Sequence, residues 1–295
     1  GPRSGGGSSM MFSLRDVEIL RLVQWSQYAY PADLCTIATE TELSNLLSLS
    51  LLKFHPSSGS LVLTQKGTKM LQCAFPGSDL LLAPSYHADA IQRRLRLSKV
   101  LLTSYSASLQ VFLNDPHQLQ EPSTFFLTAI ARTRGRNPWG STRVAALCHL
   151  GDWICAMHYV APNIGPVHLH DESMAFLNHA AQLSIPQKAF IFCGASYQDI
   201  CAELMLQQDA AAAAPHSYSV AYAQTPYPVF LVPCNRTGMI QLRLLAISHF
   251  REALSRAALQ GQYQPPDDPL WDATFQGLPF LVAVDMDLHR LDAAI

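Results

Sequence analysis

Residues 13–72 constrain the fold most, because start, stop and turn signals follow one another there in a fixed order. Ser13 precedes an apolar run of Leu14, Val17, Ile19, Leu20, Leu22 and Val23, with Asp16 three residues on, and this predicts a capped helix. Tyr30-Pro31 ends it, since proline has no N–H to continue the ladder and biases the residue before it away from the helical region. Residues 32–38 are long enough for a short second helix. Thr39 with Glu42 makes a second capping box, opening a third helix whose Leu43, Leu46, Leu47 and Leu51 share one face. KFHPSSGSLVLT then predicts two short strands around the turn residues Pro56-Ser57-Ser58-Gly59. LTQKGTKML predicts a Thr-capped fourth helix.

Beyond this unit the chain changes character. FPGSDLLLAPS, residues 75–85, reads as a linker by its Pro, Gly and Ser. Residues 86–113 predict one long connecting helix, with Ile91, Leu95, Leu102, Tyr105, Leu109 and Phe112 at helical spacing. That helix suits either a homodimer interface or packing onto the C-terminal domain. A basic loop, TRGRNPWGST, leads into RVAALCHL-GD-WICAMHYV, where Gly151-Asp152 fits a two-residue hairpin turn. The turn length sets Leu150 opposite Trp153 and Cys148 opposite Cys155, and buried thiols suit that pair better than a cross-strand disulfide. Residues 120–295 then alternate: DESMAFLNHAAQL a helix, KAFIFCG a strand, SYQDICAELMLQQ a helix capped by Ser196, VFLVPC a strand, residues 238–260 a helix and PFLVAVD a last strand. Continuous apolar strands between helices imply a sheet covered on both faces. The fold class is therefore α+β to α/β: an N-terminal unit at 13–74, a connecting helix and a C-terminal mixed α/β domain. Residues 1–12 begin with GPRSGGGSS, which reads as a tag and flexible linker, and the alanines at 210–214 fit either native low complexity or a surface replacement.

Charge separates the parts. Residues 13–72 carry five basic and five acidic side chains. Residues 86–143 carry eight basic against three acidic, a net of +5, and residues 144–295 carry six against thirteen, a net of −7. A chain polarised in this way can present its middle to a polyanion. Hydrophobic residues at 49% against 14% charged exclude a disordered chain, and no apolar run reaches the ~18 residues of a membrane span. The seven cysteines are odd in number, lie in apolar segments and form no Cys-x-x-Cys, which points to free thiols and a cytoplasmic protein.

A third helix, a small hairpin and then LT-x-x-G-x-x-x-L resembles the winged-helix domains of bacterial regulators. The wider pattern, through the basic helix to a hairpin that begins near GSTRVAAL and ends near MHYVAP, resembles replication-relaxation-type winged-helix proteins of bacterial plasmids and integrative conjugative elements. That resemblance implies a DNA-binding winged helix-turn-helix ahead of an α/β domain of degenerate nuclease-like topology. The third helix departs from it. TETELSNLLSLSLL holds two Glu and no Lys or Arg, leaving Asn45 and hydroxyls where a recognition helix usually offers cations.

These readings lead to a non-enzymatic DNA-associated protein of a mobile genetic element, a transcription regulator or an accessory replication or transfer factor, using no cofactor. Phosphate contacts are expected from Arg93, Arg94, Arg96, Lys99, Arg132, Arg134 and Arg136, joined by Lys66 and Lys69 into one continuous basic surface. A protein-interaction module that packs through the winged helix is the first alternative. A metal-dependent nucleic-acid enzyme is the second, resting on His168-Leu169-His170 as a His-hydrophobe-His element with Tyr105 or Tyr197 as nucleophile, or on Arg236 with Asp285 or Asp287 at a strand edge. Against it, no lysine follows an acid at the Glu-x-Lys or Asp-x-Lys spacing, and no Gly-x-Ser-x-Gly, P-loop or dinucleotide fingerprint is present.

Overall fold

The computed structural model describes residues 13–76, 86–133, 144–160, 169–209 and 226–295. It is an α+β protein: the described residues hold eleven α-helices and a mixed five-stranded sheet. The chain divides into two compact units, one with the described residues up to Ser98 and one with those from Lys99.

In the first unit, α1 (Leu14–Ser26), α2 (Pro31–Leu34) and α3 (Glu40–Ser48) precede the hairpin of β1 (Leu52–Phe54) and β2 (Leu61–Leu63), and α4 (Gln65–Ala74) follows it. Both capping boxes form. Ser13 Oγ accepts from Asp16 N at 3.1 Å and Thr39 Oγ1 from Glu42 N at 3.1 Å, while each acid reaches back to the cap backbone. Thr64 caps α4 by accepting from Gly67 N at 3.0 Å. The hairpin register sets Leu52 against Leu63 and Phe54 against Leu61. Ala29, between α1 and α2, exchanges two backbone hydrogen bonds with Leu61, so the hairpin and the helices close on one core of Leu20, Val23, Leu34, Leu46 and Leu61. Gly67 is required by close approach, since a Cβ there would stand 2.4 Å from the Leu51 carbonyl oxygen.

Helix α5 (Ala88–Ser106) ends seven residues before the expected Leu113. Ser108 takes a left-handed φ of 68°, and beyond it Gln110 pairs in parallel with Thr124, so these residues serve a sheet edge instead of a helix. Its apolar residues Ile91, Leu95, Leu101 and Leu102 are buried within the chain.

The second unit is built on β3 (Thr124–Leu127), β4 (Ala146–Leu150), β5 (Trp153–Tyr159), β6 (Gln187–Gly194) and β7 (Val229–Pro233), in that spatial order. The first three strands are an antiparallel meander, and β5, β6 and β7 run parallel. A 3-10 turn (Pro116–Gln120) and α6 (Thr128–Thr133) flank β3. The hairpin register is as expected, Leu150 opposite Trp153 and Cys148 opposite Cys155, with all cysteines free. Helices α7 (Leu169–Ala180) and α8 (Tyr197–Asp209) are the crossovers of the parallel strands, and the rings of Phe176 and Phe190 meet at 5.4 Å. Ser196 caps α8 as expected, accepting from Asp199 N at 3.1 Å.

Two expectations for the C-terminal part fail. Residues 238–260 are not one helix but α9 (Arg236–Leu245) and α10 (Phe250–Leu259), parted at His249 with φ 58°. The break lets two stretches bury separate faces: Leu242 and Leu245 on one, and Phe250, 6.3 Å from the Trp153 ring, on the other. PFLVAVD is not a strand of the sheet. Its start is β9 (Leu278–Phe280), paired with β8 (Ala273–Phe275), and a turn through Met286 leaves one antiparallel bridge, Asp287 to Phe230. Helix α11 (Leu288–Ala294) follows, capped by Asp287.

Candidate nucleic-acid interface

The basic residues of α5 sit one turn apart because the helix advances about 100° per residue, so positions 93, 96 and 99 drift slowly around it. Arg93 is exposed, while Arg94, Arg96 and Lys99 are half-buried beside the apolar face. Arg94 lies close enough to Tyr28 to oppose the rise that burial gives that phenol's pKa. In the N-terminal unit Lys69 and Lys53 are exposed. Lys66 is exposed too but has a second task, donating to the Leu49 carbonyl at 2.8 Å and so closing the C-terminus of α3. Arg132 lies in α6 and is described by its backbone alone, and Arg134 and Arg136 lie outside the described residues.

Helix α3 presents Glu40, Thr41, Ser44, Asn45 and Ser48 to solvent. Glu42 is taken up internally: Arg15 Nε donates to it at 2.5 Å and a second Arg15 nitrogen donates to the Ile37 carbonyl at 2.7 Å. The Arg15 hydrogen bond, helped by the Thr39 backbone, holds the Glu42 carboxyl below its ordinary range. One ion pair thus fixes α3 on α1 and halves the acidity of its first turn. What remains exposed is an amide and hydroxyl surface with one carboxylate.

The residues expected for metal or strand-edge chemistry are arranged otherwise. Leu169 and His170 open α7, so the His-hydrophobe-His run is not on a strand, and His168 lies outside the described residues. Tyr197 is half-buried at the start of α8, where burial pushes its phenol up to about 12 against the lowering effect of Gln241, so its nucleophilic phenolate is disfavoured. Asp285 and Asp287, both 2% exposed, hold Arg251 and not Arg236. Arg251 donates to Asp287 at 2.9 Å and to Asp285, tying α10 to the segment beside β7. Arg236 is exposed at the start of α9.

A pair that sequence reasoning missed lies inside the second unit. His158 of β5 stands 3.6 Å from Glu172 of α7, with side-chain exposures of 1% and 3%. Burial lowers the imidazole to about 3, so it is neutral at ordinary pH. The only signal for it was a histidine inside an apolar strand next to an acidic helix start. Shut from solvent, the pair is an internal polar joint between sheet and helix. Among the described residues no group of three His, Cys, Asp or Glu is placed to hold a metal ion.

No family model, curated protein or solved structure matches this chain. No helix among the described residues is long and apolar enough to cross a membrane.

Proposed function

We propose that residues 13–74 are a winged helix-turn-helix and that the protein associates with DNA through phosphate contacts, without chemistry of its own. The observation that carries this reading is the arrangement of α1, α2, α3, hairpin and α4 on one core, with Ala29 paired to the hairpin and Lys53 and Lys69 exposed around it. Arg93 and Arg96 of α5 add cations at one-turn spacing, and the sequence supplies Arg132, Arg134 and Arg136 beyond them. Helix α3, with Asn45 and hydroxyls but no cation, contributes little to the electrostatic part of binding. The likeness to replication-relaxation-type proteins extends the proposal to a regulator or accessory replication or transfer factor of a mobile element, with a C-terminal domain of degenerate nuclease-like topology.

Gel-shift titration of labelled duplex DNA at ~50 and ~200 mM salt tests it, because each phosphate contact adds a slope of about −0.9 to log K against log salt. Binding that weakens steeply with salt is the expected result. No binding at the lower salt, or binding indifferent to salt, rejects the proposal.

One observation favours a second reading, a protein-interaction module. Phe54 of β1 is 55% exposed and α3 carries no cation, features better suited to packing than to phosphate. In that case Phe54→Ser abolishes capture of a partner and leaves DNA binding at background in both proteins.

A further inference from the structure

We propose that Cys193 and Cys234 form a reversible disulfide, closed by a peroxide, across the outgoing ends of β6 and β7. Cys193 is the penultimate residue of β6 and pairs with Val232 of β7. Cys234 directly follows β7, two residues beyond Val232. The Cys234 N–H donates to the Gly194 carbonyl at 2.7 Å, which holds the two chain ends together just past the last paired residues. The neighbouring Cys234 thiol, with burial second, pushes the Cys193 pKa well above its ordinary value. Both are free thiols.

Access separates this pair from the other one on the sheet. Cys148 and Cys155 face each other across β4 and β5, but both are wholly buried. Cys234 is half-buried and meets solvent, while Cys193, 2% exposed, waits behind it. This is the arrangement of an attacking and a resolving cysteine. The Cys234 sulfur gives an electron pair to one peroxide oxygen, the O–O bond breaks, and one water leaves. The resulting sulfenic acid is displaced at sulfur by Cys193, and its hydroxyl departs with a proton as a second water. Two thiols and one hydrogen peroxide thus give one disulfide and two waters, and a dithiol reverses the change.

The sequence makes the test direct. Trypsin cuts after Lys188 and Arg236 and nowhere between, so Cys193, Cys201 and Cys234 share one peptide, 189–236. Cys148 and Cys155 share another, 144–188. Full-length Cys201→Ser protein is treated with hydrogen peroxide, alkylated with iodoacetamide in denaturant, digested and weighed. The expected result is a peptide 189–236 lacking two hydrogens and carrying no alkyl group, restored to two alkylated thiols by dithiothreitol. Cys193→Ser and Cys234→Ser, each made in that background, should both abolish the loss. Circular dichroism of each variant confirms that it is folded before treatment. The proposal is overturned if both thiols stay alkylatable at peroxide levels that oxidise exposed Cys35 and Cys73. It is equally overturned if Cys234 goes to sulfinic acid without a cross-link, or if the two hydrogens are lost from 144–188 instead.

Discussion

Gly67 and His158 act at the scale of one residue through opposite means, one by having no side chain and one by burying a polar ring. A methyl group at Gly67 would overlap the Leu51 carbonyl oxygen, which belongs to the turn joining α3 to β1. Gly67→Ala should therefore lower stability by about 1–3 kcal/mol, read as a shifted urea midpoint with unchanged slope. His158 is held neutral by burial, with its pKa lowered to about 3. The unfolded chain takes up a proton near pH ~6.5 that the folded one refuses, so the stabilising contribution is present above that value and is lost as pH falls toward 3. The loss approaches about 1.4 kcal/mol per pH unit at its steepest. Urea titrations between pH 7 and 4 should show His158→Gln losing much of this slope. An identical slope in both proteins would mean that other groups carry the acid sensitivity.

At the scale of elements, Arg251 joins α10 to Asp285 and Asp287 beside β7, both carboxylates being almost fully buried. Removing the cation leaves two buried charges uncompensated, and Arg251→Ala should cost about 3–5 kcal/mol at neutral pH. Asp285 already has its pKa raised, chiefly by burial, with Arg251 opposing the rise. A raised carboxyl contributes stability that is fully present below its unfolded pKa and lost as pH rises through the folded one. The variant should accordingly recover part of its deficit on acidification from pH 7 to 5, which chemical denaturation at the two values measures. The elements themselves were legible where the signals are local. Ser13, Thr39, Thr64 and Ser196 each marked a helix start, and Gly151-Asp152 fixed a register. Strand β3 was missed because TFFL is only four residues long, fully buried and without alternation, so its pairing with β4 decides its state. PFLVAVD misled for the converse reason: apolar residues suggested a strand of the sheet, but only Pro279 and Phe280 pair, with β8, and a turn from Ala283 to Met286 follows. Asp285 and Asp287, expected beside Arg236 at a strand edge, hold Arg251 instead, since partners across the fold leave no spacing in the sequence. His158 and Glu172 belong to the same class.

At the scale of the whole molecule, charge is distributed along the chain more unevenly than the net of −2 suggests. A balanced N-terminal stretch, a middle of +5 and an acidic remainder are the charge pattern behind the proposed DNA contact, and Arg93, Arg96 and Lys99 are described residues of that middle at one-turn spacing. Phosphate binding gains free energy by releasing condensed counterions, one contact at a time, and only cations release them. The double variant Arg93→Ala, Arg96→Ala should therefore weaken DNA binding uniformly across sequences and flatten the salt slope by about 2. Ser44→Ala with Asn45→Ala on α3 removes no counterion-releasing contact, so its salt slope should equal that of the parent. Fluorescence anisotropy with one duplex at several salt concentrations compares all three proteins. The α3 variant is informative in the other direction as well. Were it to lose binding while the arginine variant bound normally with an unchanged slope, recognition would lie in the amide and hydroxyl face of α3, and the division of labour argued from charge would be wrong.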